Sequence, residues 1–309
     1  MNLRRAIGGF LSSFVFLIFF VYMIFGIQGI FENFFQNQDK NEFLGSISDS
    51  VQNIAPSDAV GNIIEPAAEL NINAESAISV ESNFQDANKI IFEKNSNMQL
   101  PIASLTKLMT AIIVLDNYNL SDSVIVDENA NSQNPVSSDV KLGEVMPVEN
   151  FLDIMLIESS NRSAYALSEK IGEQKFVVLM NQKAKDIGLQ NTFFSDPTGL
   201  SPENISTASD LVKLAEYILK KYPKITDITR EKVLYVPGFG NIKNTDELLN
   251  EIPEVVCSKT GFTGEAKGCL LLVTNNPKNN DYLINIILGA DSRFSEMEKL
   301  INWSSATCK

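Results

Sequence analysis

Ala103-Ser104-Leu105-Thr106-Lys107 opens a strongly apolar stretch that the pattern predicts as a helix over residues 104–117. On a helix, residues three apart share a face, with Cβ atoms about 5–6 Å apart. Ser104 and Lys107 can therefore share a hydrogen bond. A serine hydroxyl is a poor nucleophile until a base takes its proton. A lysine serves as that base once burial disfavours its ammonium form, and Leu105, Leu108, Met109 and Ile112 supply apolar surroundings. Pro101 restricts the residue before it and marks the helix entrance. The chain contains no histidine, which excludes Ser-His-Asp and Cys-His catalysis and every His-ligated zinc site. Acid–base chemistry is left to Lys, Glu, Asp, Tyr or Ser, and neither a metal nor another cofactor is expected. By itself the Ser-x-x-Lys spacing is weak, because it recurs at Ser138 and Lys141 in a polar stretch that reads as a solvated loop.

Two further elements follow in order. Ser159-Ser160-Asn161 falls between two predicted helices, where a loop can project side chains into a cleft. Ser159 can relay a proton to a leaving amine, and Asn161 can bind a substrate amide with both donor and acceptor. An ordinary helix cap is the alternative reading, and Ser132 and Asn134 repeat the Ser-x-Asn pattern. Lys259-Thr260-Gly261 ends a predicted strand. A cation and a hydroxyl there suit a carboxylate, and Gly261 lets a substrate backbone approach the strand edge. A strand leading into a hairpin turn is the plainer alternative. Together, the three elements follow one another in this order, with gaps of 55 residues (104 to 159) and 100 (159 to 259).

Around them the chain reads as an α+β domain. Ala77-Ile78-Ser79-Val80 and Lys89-Ile90-Ile91-Phe92 are predicted strands, as are residues 232–236, 254–259, 269–274 and 282–288. Helices are predicted at 148–156, 162–171, 176–187 and 296–303, and Thr207 caps another running to Lys220. Strands at both ends with helices between them imply one sheet flanked by helices.

The set of Ser104-x-x-Lys107, Ser159-x-Asn161 and Lys259-Thr260-Gly261 resembles the active site of penicillin-binding proteins and serine β-lactamases. Within that class, residues 100–110, Asn191-Thr192-Phe193-Phe194-Ser195-Asp196-Pro197-Thr198-Gly199-Leu200, Ser206-Thr207-Ala208-Ser209-Asp210-Leu211 and Leu288-Gly289-Ala290 are similar to the low-molecular-mass D-alanyl-D-alanine carboxypeptidases. The resemblance spans residues 70–303 and implies the β-lactamase/DD-peptidase fold, an antiparallel sheet flanked by helices plus a helical subdomain. It implies Ser104 as nucleophile, Lys107 as its base, Ser159 and Lys259 in proton transfer to the leaving D-alanine, and Asn161 orienting the peptide. It places the terminal carboxylate on Thr260, with Arg293 as a further contact. It puts Gly261 beside the substrate, and the N–H groups of Ser104 and Phe262 in the oxyanion hole. The implied partners are the peptidoglycan stem peptide and β-lactam antibiotics. A DD-endopeptidase, a β-lactamase or a non-catalytic wall-binding protein are the alternatives. This sequence departs from the family at Ser160, where glycine is usual, at Cys257 and Ser258, where glycine and an apolar residue are common, and at Asn244-Thr245-Asp246-Glu247.

N-terminal to this region, Arg4 and Arg5 precede an uncharged run, residues 6–30, long enough to cross a bilayer. With Glu32 and Asp39 following, this predicts a cytoplasmic N-terminus at 1–5, a transmembrane anchor at 6–31, a polar spacer at 32–68 and an extracytoplasmic catalytic domain at 69–309. A cleaved signal peptide is the rival, with a shorter apolar core ending at small residues. The formal charge of −13 repels phosphate backbones and argues against nucleic acid as a partner. Three cysteines are too few for a disulfide scaffold. A hairpin centred on Thr263 would set Cys257 opposite Cys269 within bonding range. A turn at Gly264-Glu265 would separate them, and both would then be small buried thiols.

Overall fold

The computed structural model describes residues 70–85, 88–136, 139–276, 278–279 and 281–307. The expected anchor and spacer, Ser138 and Cys308 lie outside the described residues. Strands β1 (Ser76–Ser82), β2 (Lys89–Lys94) and the short β3 (Leu100–Pro101) lead through a 3-10 turn at Ala103–Leu105 into helix α1 (Thr106–Asn117). Next come β4 (Ser123–Ile125), α2 (Glu128–Asn131), β5 (Val145–Pro147), α3 (Val148–Ile157), α4 (Asn161–Glu169), α5 (Glu173–Asp186) and β6 (Ile205–Ser206). Helices α6 (Ala208–Lys221) and α7 (Pro223–Thr229), hairpin β7 (Val233–Val236) and β8 (Gly240–Lys243), strands β9 (Val255–Thr263), β10 (Lys267–Asn275) and β11 (Tyr282–Ala290), and helix α8 (Arg293–Thr307) complete it.

The five long strands form one antiparallel sheet in the order β2-β1-β11-β10-β9. Its central strands read as continuous apolar runs because both faces are covered. Leu270 and Leu272 pack with Ala77, Ile287, Met297 and Leu300 beneath α8. Leu271 and Val273 point the other way, into the core shared with Ile78, Ile286 and the helices. Each such fully buried leucine contributes roughly 1.5–3 kcal/mol. Helix α1 runs through that helical core, buried from Thr106 to Val114, so its side chains are held on every side. The α+β expectation is thus met, with the sheet on one side and the helical layer on the other.

Local signals also hold. Thr207 caps α6 by accepting the Asp210 N–H at 3.0 Å. Helix α7 escapes the sequence pattern because it is only seven residues long, although Pro223 stands at its first turn, where a missing N–H costs nothing. Ser104 sits in the 3-10 turn rather than in α1 itself.

The β9–β10 register decides between the two cysteine alternatives. Thr263 pairs with Lys267, Gly261 with Cys269 and Cys257 with Val273. The turn is therefore centred on Glu265. The two cysteines belong to ladder positions four residues apart, about 13 Å along a strand, beyond disulfide reach. Both are buried and free.

Candidate active site

Three segments converge along the second half of β9. The first is the turn before α1. Ala103 takes a left-handed φ of +46°. Against it lies Gly199, at φ +84°, where a Cβ would stand 2.0 Å from the Ala103 carbonyl oxygen. Only glycine allows that approach, and it fixes where Ser104 points.

One turn later Lys107 is fully buried. Its Nζ lies 2.9 Å from Ser104 Oγ, 2.8 Å from Asn161 Oδ1 and 2.6 Å from the Thr198 carbonyl oxygen. Asn161 Nδ2 donates to the Asn134 carbonyl at 2.9 Å, which turns Oδ1 toward the lysine. The Thr198 and Asn161 oxygens only accept. In the neutral amine they take both N–H hydrogens, and the lone pair is left to receive the Ser104 hydroxyl. Burial pushes Lys107 well below the ordinary ammonium range, and the charge of Lys259 pushes it further, while Asp196 and Asp139 pull it up.

Asp196 holds the Thr198 carbonyl in place. Its carboxylate accepts the N–H groups of Thr198 (2.6 Å), Gly199 (2.7 Å) and Ser201 (2.8 Å), and Nδ2 of Asn204 (2.7 Å).

The second segment is the elbow between α3 and α4. Ser159 has φ +62°, and its Oγ accepts from Lys259 Nζ at 2.9 Å. Lys259 also donates to the Thr260 carbonyl at 3.1 Å. Burial, aided by the Arg293 charge and opposed by Asp246, lowers Lys259 to about 7. Ser160 departs from the usual glycine and makes two contacts. It caps α4 by accepting the Ser163 N–H at 2.9 Å, and it donates to Asp139. Asp139 also accepts the N–H groups of Val136 and Val140. The Ser160 hydroxyl thus ties Asp139 to the elbow.

The third segment is β9 itself. A Cβ on Gly261 would stand 3.0 Å from the Ile102 carbonyl oxygen and 3.1 Å from the Ser104 amide nitrogen. The space that sequence reasoning gave to a substrate at Gly261 is filled on that side by the nucleophile's own turn. Thr260 shares a 2.6 Å hydrogen bond with Thr245, and Ser258 donates to Asp246. Two of the stretches that depart from the family therefore touch each other. Phe262 is exposed on the rim. Arg293 reaches the Gly261 carbonyl at 3.5 Å. Its Nε is buried without a hydrogen-bond partner among the described residues.

The structure thus brings Ser104, Lys107, Ser159, Asn161, Lys259, Thr260, Gly261, Phe262 and Arg293 to one place. Sequence reasoning missed the supports: Asp139, Asp196, Thr198 and Thr245. The signal for Asp196 was available in Asp196-Pro197-Thr198-Gly199, since an aspartate before such a turn accepts backbone N–H groups two or three residues on.

Two Ser–Lys pairs facing one cleft, between an antiparallel sheet and a helical layer, define the class of penicillin-binding serine peptidases and β-lactamases. Within it the chain belongs to the D-alanyl-D-alanine carboxypeptidase family, whose model matches residues 63–292. It is 34% identical over 252 residues to D-alanyl-D-alanine carboxypeptidase DacF of Bacillus subtilis, covering 77% of this chain and 63% of that protein. It is 35% identical over 251 residues to a D-alanyl-D-alanine endopeptidase of Escherichia coli, covering 77% of this chain and 79% of the relative. Its fold is similar to that of a penicillin-binding protein from Listeria monocytogenes in its cefotaxime-bound form, with a TM-score of 0.69 and 25% identity over 77% of this chain and 99% of that one. The chain spans under two thirds of the Bacillus relative's length.

Proposed function

We propose that this protein is a serine-type D-alanyl-D-alanine carboxypeptidase that removes the terminal D-alanine from peptidoglycan stem peptides and is acylated by penicillins. The observation that carries this reading is the buried Lys107 amine between Ser104, Asn161 and Thr198.

In this reading the Ser104 hydroxyl gives its proton to Lys107 as Oγ attacks the carbonyl carbon between the two D-alanines. The N–H groups of Ser104 and Phe262 receive the developing oxyanion, the term that most often dominates such catalysis. Asn161 and the strand edge at Gly261 orient the peptide. The C–N bond then breaks, and the leaving amine takes a proton through the Lys259–Ser159 pair; the proton that Lys107 took from Ser104 replaces the one given up, so Lys107 is neutral again. The terminal carboxylate rests on Thr260 and Arg293, which reaches the neighbouring Gly261 carbonyl at 3.5 Å. Water attacks the Ser104 ester, Lys107 takes its proton and returns it to Ser104 Oγ as the ester bond breaks, and the shortened peptide leaves as a carboxylate, its acid proton passing to solvent.

An endopeptidase cutting the same type of bond in cross-links is the second reading, favoured by the name of the Escherichia coli relative. Incubation with a stem pentapeptide and with a cross-linked dimer, followed by product masses, separates the two. Absence of both products, together with absence of covalent labelling by a fluorescent penicillin, overturns the enzymatic reading.

The protein is further proposed to be anchored in the cell membrane through residues 6–31, with the catalytic domain outside. The uncharged run behind Arg4 and Arg5 supports this. Release of the full-length chain from membranes by carbonate washing contradicts it.

A further inference from the structure

We propose that Thr245 is a positioning residue that aims the Thr260 hydroxyl at the substrate's terminal carboxylate and so sets the preference for carboxylate-ended peptides. The inference rests on the carboxypeptidase reading above and deepens it. Thr260 is buried on β9 between Lys259 and Gly261. Its only side-chain partner among the described residues is the Thr245 hydroxyl, 2.6 Å away.

Thr245 is itself immobilised. Its backbone N–H donates to the carbonyl of Ile157, two residues before Ser159, at 3.2 Å. On one side Asn244 Nδ2 donates to the carbonyls of Thr229 and Glu231 at 3.1 and 3.0 Å. On the other, Asp246 accepts the Ser258 hydroxyl, and its N–H donates to Asn244 Oδ1. Residues 244–246 thus form a strut between the end of α3 and β9, joining the segment of Ser159 to the segment of Lys259.

Proton counting gives the role. A threonine hydroxyl has one hydrogen and two lone pairs. For Thr260 to donate to an arriving carboxylate, the hydrogen between the two threonines must come from Thr245. With Thr245 as the donor, one Thr260 lone pair is occupied and the Thr260 hydrogen is left for the arriving carboxylate. Without Thr245 the Thr260 rotor is free, and its hydrogen is no longer directed before the substrate arrives. A carboxylate gains from that directed, charge-assisted bond; a neutral C-terminal amide gains much less.

The test uses the full-length protein with a D-Ala-D-Ala peptide and the same peptide ending in an amide. Thr245→Val keeps the shape and removes the hydroxyl. It is expected to lower kcat/KM on the carboxylate peptide by about 5- to 20-fold, mainly through KM, a part of the roughly 10- to 150-fold that full loss of a hydrogen bond to a charged group costs, because Thr260 keeps its hydroxyl. Activity on the amide stays the same, so the carboxylate-to-amide ratio falls by the same factor. Thr245→Ser, which restores the hydroxyl, returns the ratio to within about 2-fold of wild type. Thr245→Ala is read in the same way if the valine variant does not fold. A wild-type chain that hydrolyses neither peptide overturns the functional reading and this inference with it. With an active wild type, an unchanged ratio, an equal loss on both peptides, or a folded serine variant that does not rescue overturns this inference alone.

Discussion

The side-chain nitrogen of Lys107 lies 2.6 Å from the carbonyl oxygen of Thr198, ninety-one residues further along the chain. The carbonyl accepts an N–H of Lys107 and so fixes the direction of its nitrogen. The rate of penicillin acylation is therefore expected to follow a bell-shaped pH profile. Lys107 is depressed well below its ordinary range by burial, so its base form persists to lower pH than in an ordinary lysine and is lost as pH falls through the lowered value. Lys259, at about 7, is cationic below that pH and loses its charge above it, which removes the cation on the leaving-group side. Acylation rates measured from about pH 5 to about pH 9, a window that brackets the Lys259 titration, check this. A profile still rising above pH 8 contradicts the assignment of Lys259.

Ser104→Ala is expected to abolish labelling by a fluorescent penicillin. Lys107→Ala is expected to slow acylation by roughly 10²–10⁴-fold, the usual worth of general-base assistance. Full labelling of the Ser104→Ala protein would sink the nucleophile assignment.

Gly199→Ala places a methyl 2.0 Å from the Ala103 carbonyl oxygen and forces a left-handed φ on alanine. Either Ser104's turn moves or the Thr198 carbonyl does. Both acylation rate and melting temperature are expected to fall, with a stability loss of about 2–4 kcal/mol. A variant that melts and acylates like wild type contradicts the close approach.

Asp153 on α3 is buried, and its Oδ1 has no hydrogen-bond partner among the described residues. Burial raises its pKa to about 6, with Lys224 opposing and Glu149 reinforcing. A carboxyl raised above its ordinary value favours the fold while protonated, and that contribution is lost as pH rises through about 6. Asp153→Asn is therefore expected to raise the melting temperature at pH 8 and to change it little at pH 4.5, the two sides of that titration. Equal effects at both pH values contradict this.

Cys257 and Cys269 are expected to resist alkylation in the native protein and to react fully once unfolded without reductant. Burial raises both thiols to about 11, which suppresses the reactive thiolate. Mass spectrometry of the alkylated peptides reads this directly, and a bonded pair would appear as unmodified cysteines.

The sequence made legible whatever depends on near neighbours. The Ser104–Lys107 spacing, the Thr207 cap and the apolar run of β10 each follow from a few adjacent residues. Contacts between distant segments were legible only through the family resemblance, because no local period links residue 107 to 161 or 159 to 259. Supports that act through a backbone carbonyl, such as Thr198 and Asn134, carry no side-chain signature. The choice between the two cysteine alternatives turned on a single register: a turn at Glu265 instead of Thr263 moves the partner of Cys257 from residue 269 to 273. Ser160 and Ser258 read as departures, yet each donates to an aspartate from a distant segment, Asp139 and Asp246.

The position of β1 in the sheet bears on how the molecule is born. It lies between β2 and β11, with Ser76 opposite Leu288, and β9 reaches it only through β10 and β11. Closing so long a loop is entropically costly and slows folding. A nascent chain that has emerged only as far as Lys259 holds all three reactive segments and no sheet to assemble them. The cleft is built after the last strand leaves the ribosome. The serine therefore stays chemically silent at least until β11 has emerged.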